Sequence, residues 1–154
     1  MTLPLVYVAI SPKRMEELLL EEELLSQSDV VTLHAPVTEE TIGMLGAAQF
    51  AAMQDGVLFV NTARGRLIDH DALLAELRTG RIDAVLDVTD PTEPLPPDSP
   101  FFALENCVVL PHIGAVTVEA RRRQSRYTID ETLRYLRGEP LQFAIMPERW
   151  PTMA

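Results

Sequence analysis

One cysteine, a shortage of basic residues and the lack of any long apolar run each exclude a class of protein for this 154-residue sequence. Cys107, standing alone, rules out an internal disulfide framework and every multi-cysteine zinc pattern, so no metal is expected, and it suits a reducing, cytoplasmic compartment. Apolar stretches such as Val57 to Val60 fall far short of the ~20 residues needed to cross a bilayer, and a membrane is not an expected partner. Met1 to Ile10 is apolar but has no basic flank and no small-residue cleavage site, so it does not read as a signal peptide. Only 13 Lys plus Arg stand against 23 Asp plus Glu, a net charge of −10 whose field repels phosphate backbones, so nucleic acid is not expected either. The basic charge that exists is uneven. Arg121, Arg122, Arg123, Arg126, Arg134 and Arg137 crowd one segment, which reads first as a solvated helix face.

What is present is an ordinary globular composition, 47% hydrophobic, in a chain long enough to bury about 70% of its unfolded surface without staples. Val-, Ile- and Leu-rich runs at Leu5 to Ile10, Val30 to Leu33, Val57 to Val60, Ala84 to Val88 and Val108 to Leu110 read as buried strands. Helical patterns lie between them at Lys13 to Leu25, Ala47 to Met53 and Asp69 to Arg78, the last with an acidic cap and Gly80 beyond its end. Thr117 to Arg137, opened by a capping Thr and stopped at Gly138, reads as the longest helix. Strands alternating with helices predict a parallel sheet covered on both faces. Thr89 to Pro100, with five prolines, reads as a stiff loop, either functional or merely surface-crossing. The organisation expected is one domain over residues 1–138 and a tail, 139–154, packed on it through Phe143, Ile145 and Trp150.

In open parallel sheets ligands bind beyond the carboxyl ends of the strands. Those positions here are polar: His34, Ala35 and Pro36 follow one run, and Asn61, Thr62, Ala63, Arg64 and Gly65 the next. The fourth run contains Asp87 and leads to Thr89, Asp90 and Glu93, and Pro111, His112, Ile113 and Gly114 follow the fifth. Singly, Arg64 reads as a loop arginine, Glu93 as a solvated carboxylate and His112 as a structural histidine. Together they suit other work. A histidine backed by a carboxylate holds its proton to higher pH and suits general acid catalysis, and an arginine offers a planar fork for a substrate carboxylate. That trio fits reduction of a 2-oxo acid.

From about Glu23 to Gly138 the sequence resembles the D-isomer-specific 2-hydroxyacid dehydrogenases. The likeness rests on Ser28-Asp29-Val30-Val31-Thr32-Leu33-His34-Ala35-Pro36, on Asn61-Thr62-Ala63-Arg64-Gly65, on Leu86-Asp87-Val88 with Glu93-Pro94, and on Pro111-His112-Ile113-Gly114, in that order. The resemblance implies that His112 donates a proton as hydride reaches the carbonyl carbon, that Glu93 pairs with it and that Arg64 orients the oxo acid. It further implies NAD or NADP as cofactor, with Asp87 and the Thr62 and Ala63 backbone at the nicotinamide carboxamide. Ala35, Gly114 and Ala115, together with Arg64 and His112, would line the cofactor. The family's Glu lies five positions after the Asp, whereas here it lies six, so Thr92 reads as an inserted residue.

A dinucleotide site needs a GxGxxG turn at a helix N-terminus, yet no two of the seven glycines are separated by a single residue. Ser11-Pro12-Lys13-Arg14 could seat a phosphate, although Ser then Pro is also a routine helix opening. The expected fold is therefore a truncated Rossmann-like, doubly wound parallel sheet. Its first strand should sit between the second and third, in the order 2-1-3-4-5. The expected activity is that of the C-terminal portion of an NAD(P)-dependent D-2-hydroxyacid dehydrogenase, weak or absent in this chain alone, acting on a small 2-oxo or 2-hydroxy acid within a homo-oligomer. The alternative is a non-catalytic relative that binds or oligomerises through the arginine-bearing last helix.

Overall fold

A computed structural model describes residues 5–8 and 22–152 of the chain. Five parallel strands form one sheet: β1 (Leu5–Val8), β2 (Val30–Leu33), β3 (Leu58–Asn61), β4 (Asp83–Leu86) and β5 (Cys107–Val109). Between them run α1 (Glu22–Gln27), α2 (Ala47–Ala52) and α3 (His70–Leu77), and α4 (Val118–Arg137) follows β5. The expected helix from Lys13 and the Ser11 to Arg14 segment lie outside the described residues, apart from Glu22 onward.

The strand order is β1-β2-β3-β4-β5 and not the expected 2-1-3-4-5. β2 pairs directly with β3, Val30 against Leu58 and Leu33 against Asn61, and β1 lies outside β2 at the edge. The 24 residues between β2 and β3 need only a single-step crossover, and consecutive strands tend to lie side by side, so nothing forces β1 between them.

Among the described residues, the consecutive order places the helices that connect the strands on one face of the sheet, where cover on both was expected. Right-handed crossovers that always step the same way leave every connecting helix on the same side. Val31, Leu33, Phe59, Ala84 and Leu86 point to that side and form a single core with Leu25 of α1, Phe50 of α2 and Leu73, Leu74 and Leu77 of α3. Phe50 meets Phe59 edge to face with ring centres 5.5 Å apart. Arg81 locks this layer: its guanidinium donates to the Phe50 and Met53 carbonyls at the end of α2 and pairs with Glu76 of α3 at 2.7 Å. Alternate strand residues face the other way, where Val30, Leu58, Val60 and Val85 are only half-buried, Asp83 is exposed and Val108 is 51% exposed.

Helix ends follow the sequence signals. The Asp69 carboxylate accepts the Ala72 amide at the start of α3, and the Thr117 hydroxyl accepts the Ala120 amide at the start of α4. Gly138 closes α4 in the left-handed conformation, φ +68°. No residue of α4 is buried. The tail turns back along this helix, where the Glu131 carboxylate accepts the Gln142 and Phe143 amides and Phe143 lies 5.3 Å from Tyr127, ring to ring. Those contacts, the Phe143 amide foremost, hold the Glu131 carboxyl below the usual range. Phe143 and Ile145 stay more than half exposed, and the Trp150 side chain lies outside the description. No helix among the described residues is long and apolar enough to cross a membrane.

Candidate active site

Three turns at the carboxyl ends of β3, β4 and β5 make the site. The first is organised by Asn61, the fully buried last residue of β3. Its side-chain oxygen accepts the Ala63 amide and its NH2 donates to the Arg64 carbonyl, both at 3.0 Å. An amide side chain bonding its own backbone two residues on is a recurrent turn-former, and that is the signal by which the role could have been read from sequence. The turn leaves Arg64 and Thr62 exposed at the rim, with the Arg64 guanidinium donating to the Ala63 carbonyl at 2.6 Å.

Gly65 then packs onto the second turn. A Cβ there would lie 2.2 Å from the Thr89 carbonyl carbon and 2.6 Å from the Asp90 nitrogen, far inside contact distance, so only glycine allows the two backbones to approach this closely. The second turn runs to Glu93. The Thr89 hydroxyl donates to the Thr92 carbonyl at 2.7 Å, which curls the segment and absorbs the additional residue.

The third turn holds His112. Asp87, 2% exposed at the end of β4, accepts the Ile113 amide on one carboxylate oxygen and the Gly114 amide on the other, both at 2.8 Å. A Cβ on Gly114 would stand 2.8 Å from that second oxygen. Clamped from beyond, His112 adopts φ +53°, a left-handed conformation that costs a non-glycine residue of order 1 kcal/mol and persists only where the surroundings impose it. In this pose Nδ1 of His112 lies 2.6 Å from Oε1 of Glu93, leaving Nε2 as the ring's other functional nitrogen. Both side chains are partly exposed, 46% and 34%. A recess of about 110 Å³ opens beside the pair, between Leu95, Phe102, Leu110 and Pro111.

Of the candidate residues, the structure thus brings Glu93 and His112 into contact and mounts Arg64 on the neighbouring turn, where it pairs with neither among the described residues. Thr62, Gly114 and Ala115 are exposed along the same carboxyl rim, Ala63 is half-buried and Ala35 is buried at the end of β2. Asp87 spends both oxygens on backbone amides and so clamps the turn that bears His112. His34 sits beside Thr32, with Nε2 2.9 Å from the hydroxyl. The exposed Thr62, Gly114 and Ala115 leave this rim open enough to fit the flat nicotinamide end of a dinucleotide.

Comparison with known proteins bears on this geometry. Residues 3–114 match the NAD binding domain of the D-isomer specific 2-hydroxyacid dehydrogenases. A glyoxylate/hydroxypyruvate reductase B of Citrobacter koseri is 42% identical over 128 residues, 82% of this chain and 39% of that protein. The crystal structure of a D-isomer specific 2-hydroxyacid dehydrogenase from Xanthobacter autotrophicus, in complex with NADPH and MES, aligns with TM-score 0.72 and 36% identity over 86% of this chain and 53% of that one. D-lactate dehydrogenase with NAD+ from Lactobacillus jensenii aligns with TM-score 0.75 and 28% identity over 82% and 42%. The chain spans about two fifths of the length of the curated reductase it matches.

Proposed function

The chain belongs to the D-isomer specific 2-hydroxyacid dehydrogenases through their NAD binding domain, and from that premise we propose that it supplies the cofactor-side half of a site that reduces a small 2-oxo acid. The observation that supports this reading above all others is the 2.6 Å contact between His112 Nδ1 and Glu93, made by a histidine held at φ +53°. With Nδ1 bonded to a carboxylate, the imidazole is fixed in orientation and Nε2 is the nitrogen that presents a proton.

Bound NAD(P)H would supply hydride. The residues of this chain do the remainder. His112 delivers the Nε2 proton to the carbonyl oxygen as the carbon gains its hydride, and in the reverse direction it takes that proton back from the 2-hydroxyl. Glu93 accepts a hydrogen bond from Nδ1 and keeps the ring plane fixed. Arg64 offers two parallel N–H donors to the substrate carboxylate, which sets the carbonyl toward His112. Thr62, Ala63, Ala35, Gly114 and Ala115 border the nicotinamide, and Asp87 acts from beneath by fixing the turn that bears His112. Glyoxylate and hydroxypyruvate are the first acids to try, because they are named in the Citrobacter relative.

Titration of the chain with NADH and NADPH, followed by nicotinamide fluorescence, tests the reading. Saturable binding weakened by Thr62→Trp at the rim is expected. Turnover of glyoxylate by this chain alone should be slow, since little excludes water from an exposed rim. His112→Ala should abolish that turnover and Arg64→Ala should raise KM. No saturable binding of either nucleotide at millimolar concentration overturns the proposal.

A further inference from the structure

The segment that carries Glu93 has few ties to the sheet. Pro91 and Pro94 bring no N–H, and the whole stretch from Pro91 to Pro94 is exposed. Among the described residues no backbone–backbone hydrogen bond reaches residues 90–95. Beyond Glu93, Leu95 packs against the core. Before it, the tie is a side chain, the Thr89 hydroxyl that donates to the Thr92 carbonyl at 2.7 Å.

Thr89 is itself a fixed post. It is 7% exposed, and its carbonyl carbon lies so close to Gly65 that a Cβ there would come within 2.2 Å. Two residues earlier the Asp87 amide donates to the Asn61 carbonyl at 2.9 Å, which extends the sheet toward this point. Thr89 therefore moves with the strands, whereas Thr92 belongs to the loop. The Thr92 carbonyl carbon is joined to the Glu93 nitrogen, so holding that carbonyl fixes the plane of the peptide from which Glu93 departs. Oε1 of Glu93 stands 2.6 Å from Nδ1 of His112, and a shift of about 1 Å takes the pair out of hydrogen-bond range. Thr89 and Glu93 also border the same recess.

We propose that Thr89 is a positioning residue of this site: through the Thr92 carbonyl, its hydroxyl sets the Glu93 carboxylate against His112. The catalytic meaning of this placement rests on the reading of His112 as proton donor, while the placement itself does not. A hydroxyl that merely satisfied its own buried oxygen would matter to stability and leave the state of a histidine on another turn unchanged. The Thr92 carbonyl, on an exposed residue, can turn to water when its partner is lost, so removal of the hydroxyl acts on Glu93 far more than on the fold.

Ring-nitrogen NMR of the full chain, without nucleotide or substrate, tests the proposal. Glu93→Ala supplies the signals of a His112 ring that has no carboxylate beside it, and His112→Ala assigns them. Thr89→Val keeps the branched shape and loses the hydroxyl; it should move the His112 signals most of the way to their positions in Glu93→Ala, with a denaturation midpoint close to that of the wild type. Thr89→Ser retains the hydroxyl and should hold the wild-type signals. If Thr89→Val does not fold, Thr89→Ala carries the same expectation. Signals that stay in place in the variant lacking the hydroxyl, a shift in Thr89→Ser equal to that in Thr89→Val, or a Glu93→Ala spectrum identical to the wild type each overturn the proposal. A wild type that binds neither NADH nor NADPH strikes the dehydrogenase reading alone, because these signals are read from the chain by itself.

Discussion

Replacing Gly65 by Ala probes the coupling between the Arg64 turn and the loop that holds Glu93. The new Cβ would stand 2.2 Å from the Thr89 carbonyl carbon, 2.3 Å from its oxygen and 2.6 Å from the Asp90 nitrogen, where ordinary contact begins near 3.4 Å. All three are backbone atoms, so no rotamer change relieves the overlap and the two turns must separate by about 1 Å. Overpacking of this kind costs about 1–3 kcal/mol, and rigid backbone on both sides places Gly65→Ala at about 2–3 kcal/mol. For a chain of this size that lowers Tm by roughly 5–10 °C. Because Glu93 lies three residues beyond Asp90, the same movement draws its carboxylate off His112. Urea denaturation reads the first effect, and the ring-nitrogen NMR signals of His112 read the second. Gly46→Ala is the control: its Cβ meets nothing closer than 3.7 Å, and loss of a glycine cap costs below about 1 kcal/mol. If Gly65→Ala is as stable as Gly46→Ala and leaves the His112 signals in place, the coupling of the two turns does not exist.

Asp87→Asn removes one of two acceptors from a buried clamp and sets an NH2 group against a backbone N–H, so a loss of about 2 kcal/mol is expected. The exposed Asp83→Asn should change stability by less than about 0.5 kcal/mol, and equal denaturation midpoints for the two would refute the clamp. Burial holds the His70 imidazole below the ordinary histidine range against the opposing pull of Asp90, Asp69 and Asp71, and its Nε2 is buried without a hydrogen-bond partner. A histidine that resists protonation in the fold leaves stability intact above about pH 6.5 and removes it progressively as the pH falls lower. Melting between pH 7.5 and 5.5 should show this decline in the wild type, and His70→Gln should lessen it; parallel curves would contradict the assignment. Burial also pushes the Cys107 thiol up to about 11. Its reaction with a disulfide reagent at pH 8 should be about 100-fold slower than that of the urea-unfolded chain, and a native rate within threefold would exclude the shift.

Local structure was legible wherever the signal was local. The Val30 to Leu33 strand agrees residue for residue, the caps at Asp69 and Thr117 and the terminator Gly138 act as their types suggest, and the Glu93 to His112 contact forms despite the extra residue at Thr92. Strand order was not legible. Apolar runs that are buried on one side only look the same as runs buried on both when they are short, and no residue in Leu5 to Val8 specifies its neighbour. The Asp87 clamp escaped for a related reason. An acidic residue at a rim of polar side chains reads as a ligand contact, and only its burial together with two amides 26 and 27 residues away reveals a structural duty. Asn61 and Gly65 show the intermediate case, in which residue type signalled a turn but not the close approach of a second one.

Since β1 to β5 lie side by side in the order of their synthesis, each strand leaving the ribosome finds its bonding edge already displayed by the strand before it. No slot must be held open for a later arrival, and loop-closure entropy is met in four small instalments instead of one large insertion. A growing chain of this design lengthens its sheet like a zipper, and an interruption of translation after any strand leaves a shorter version of the same layer.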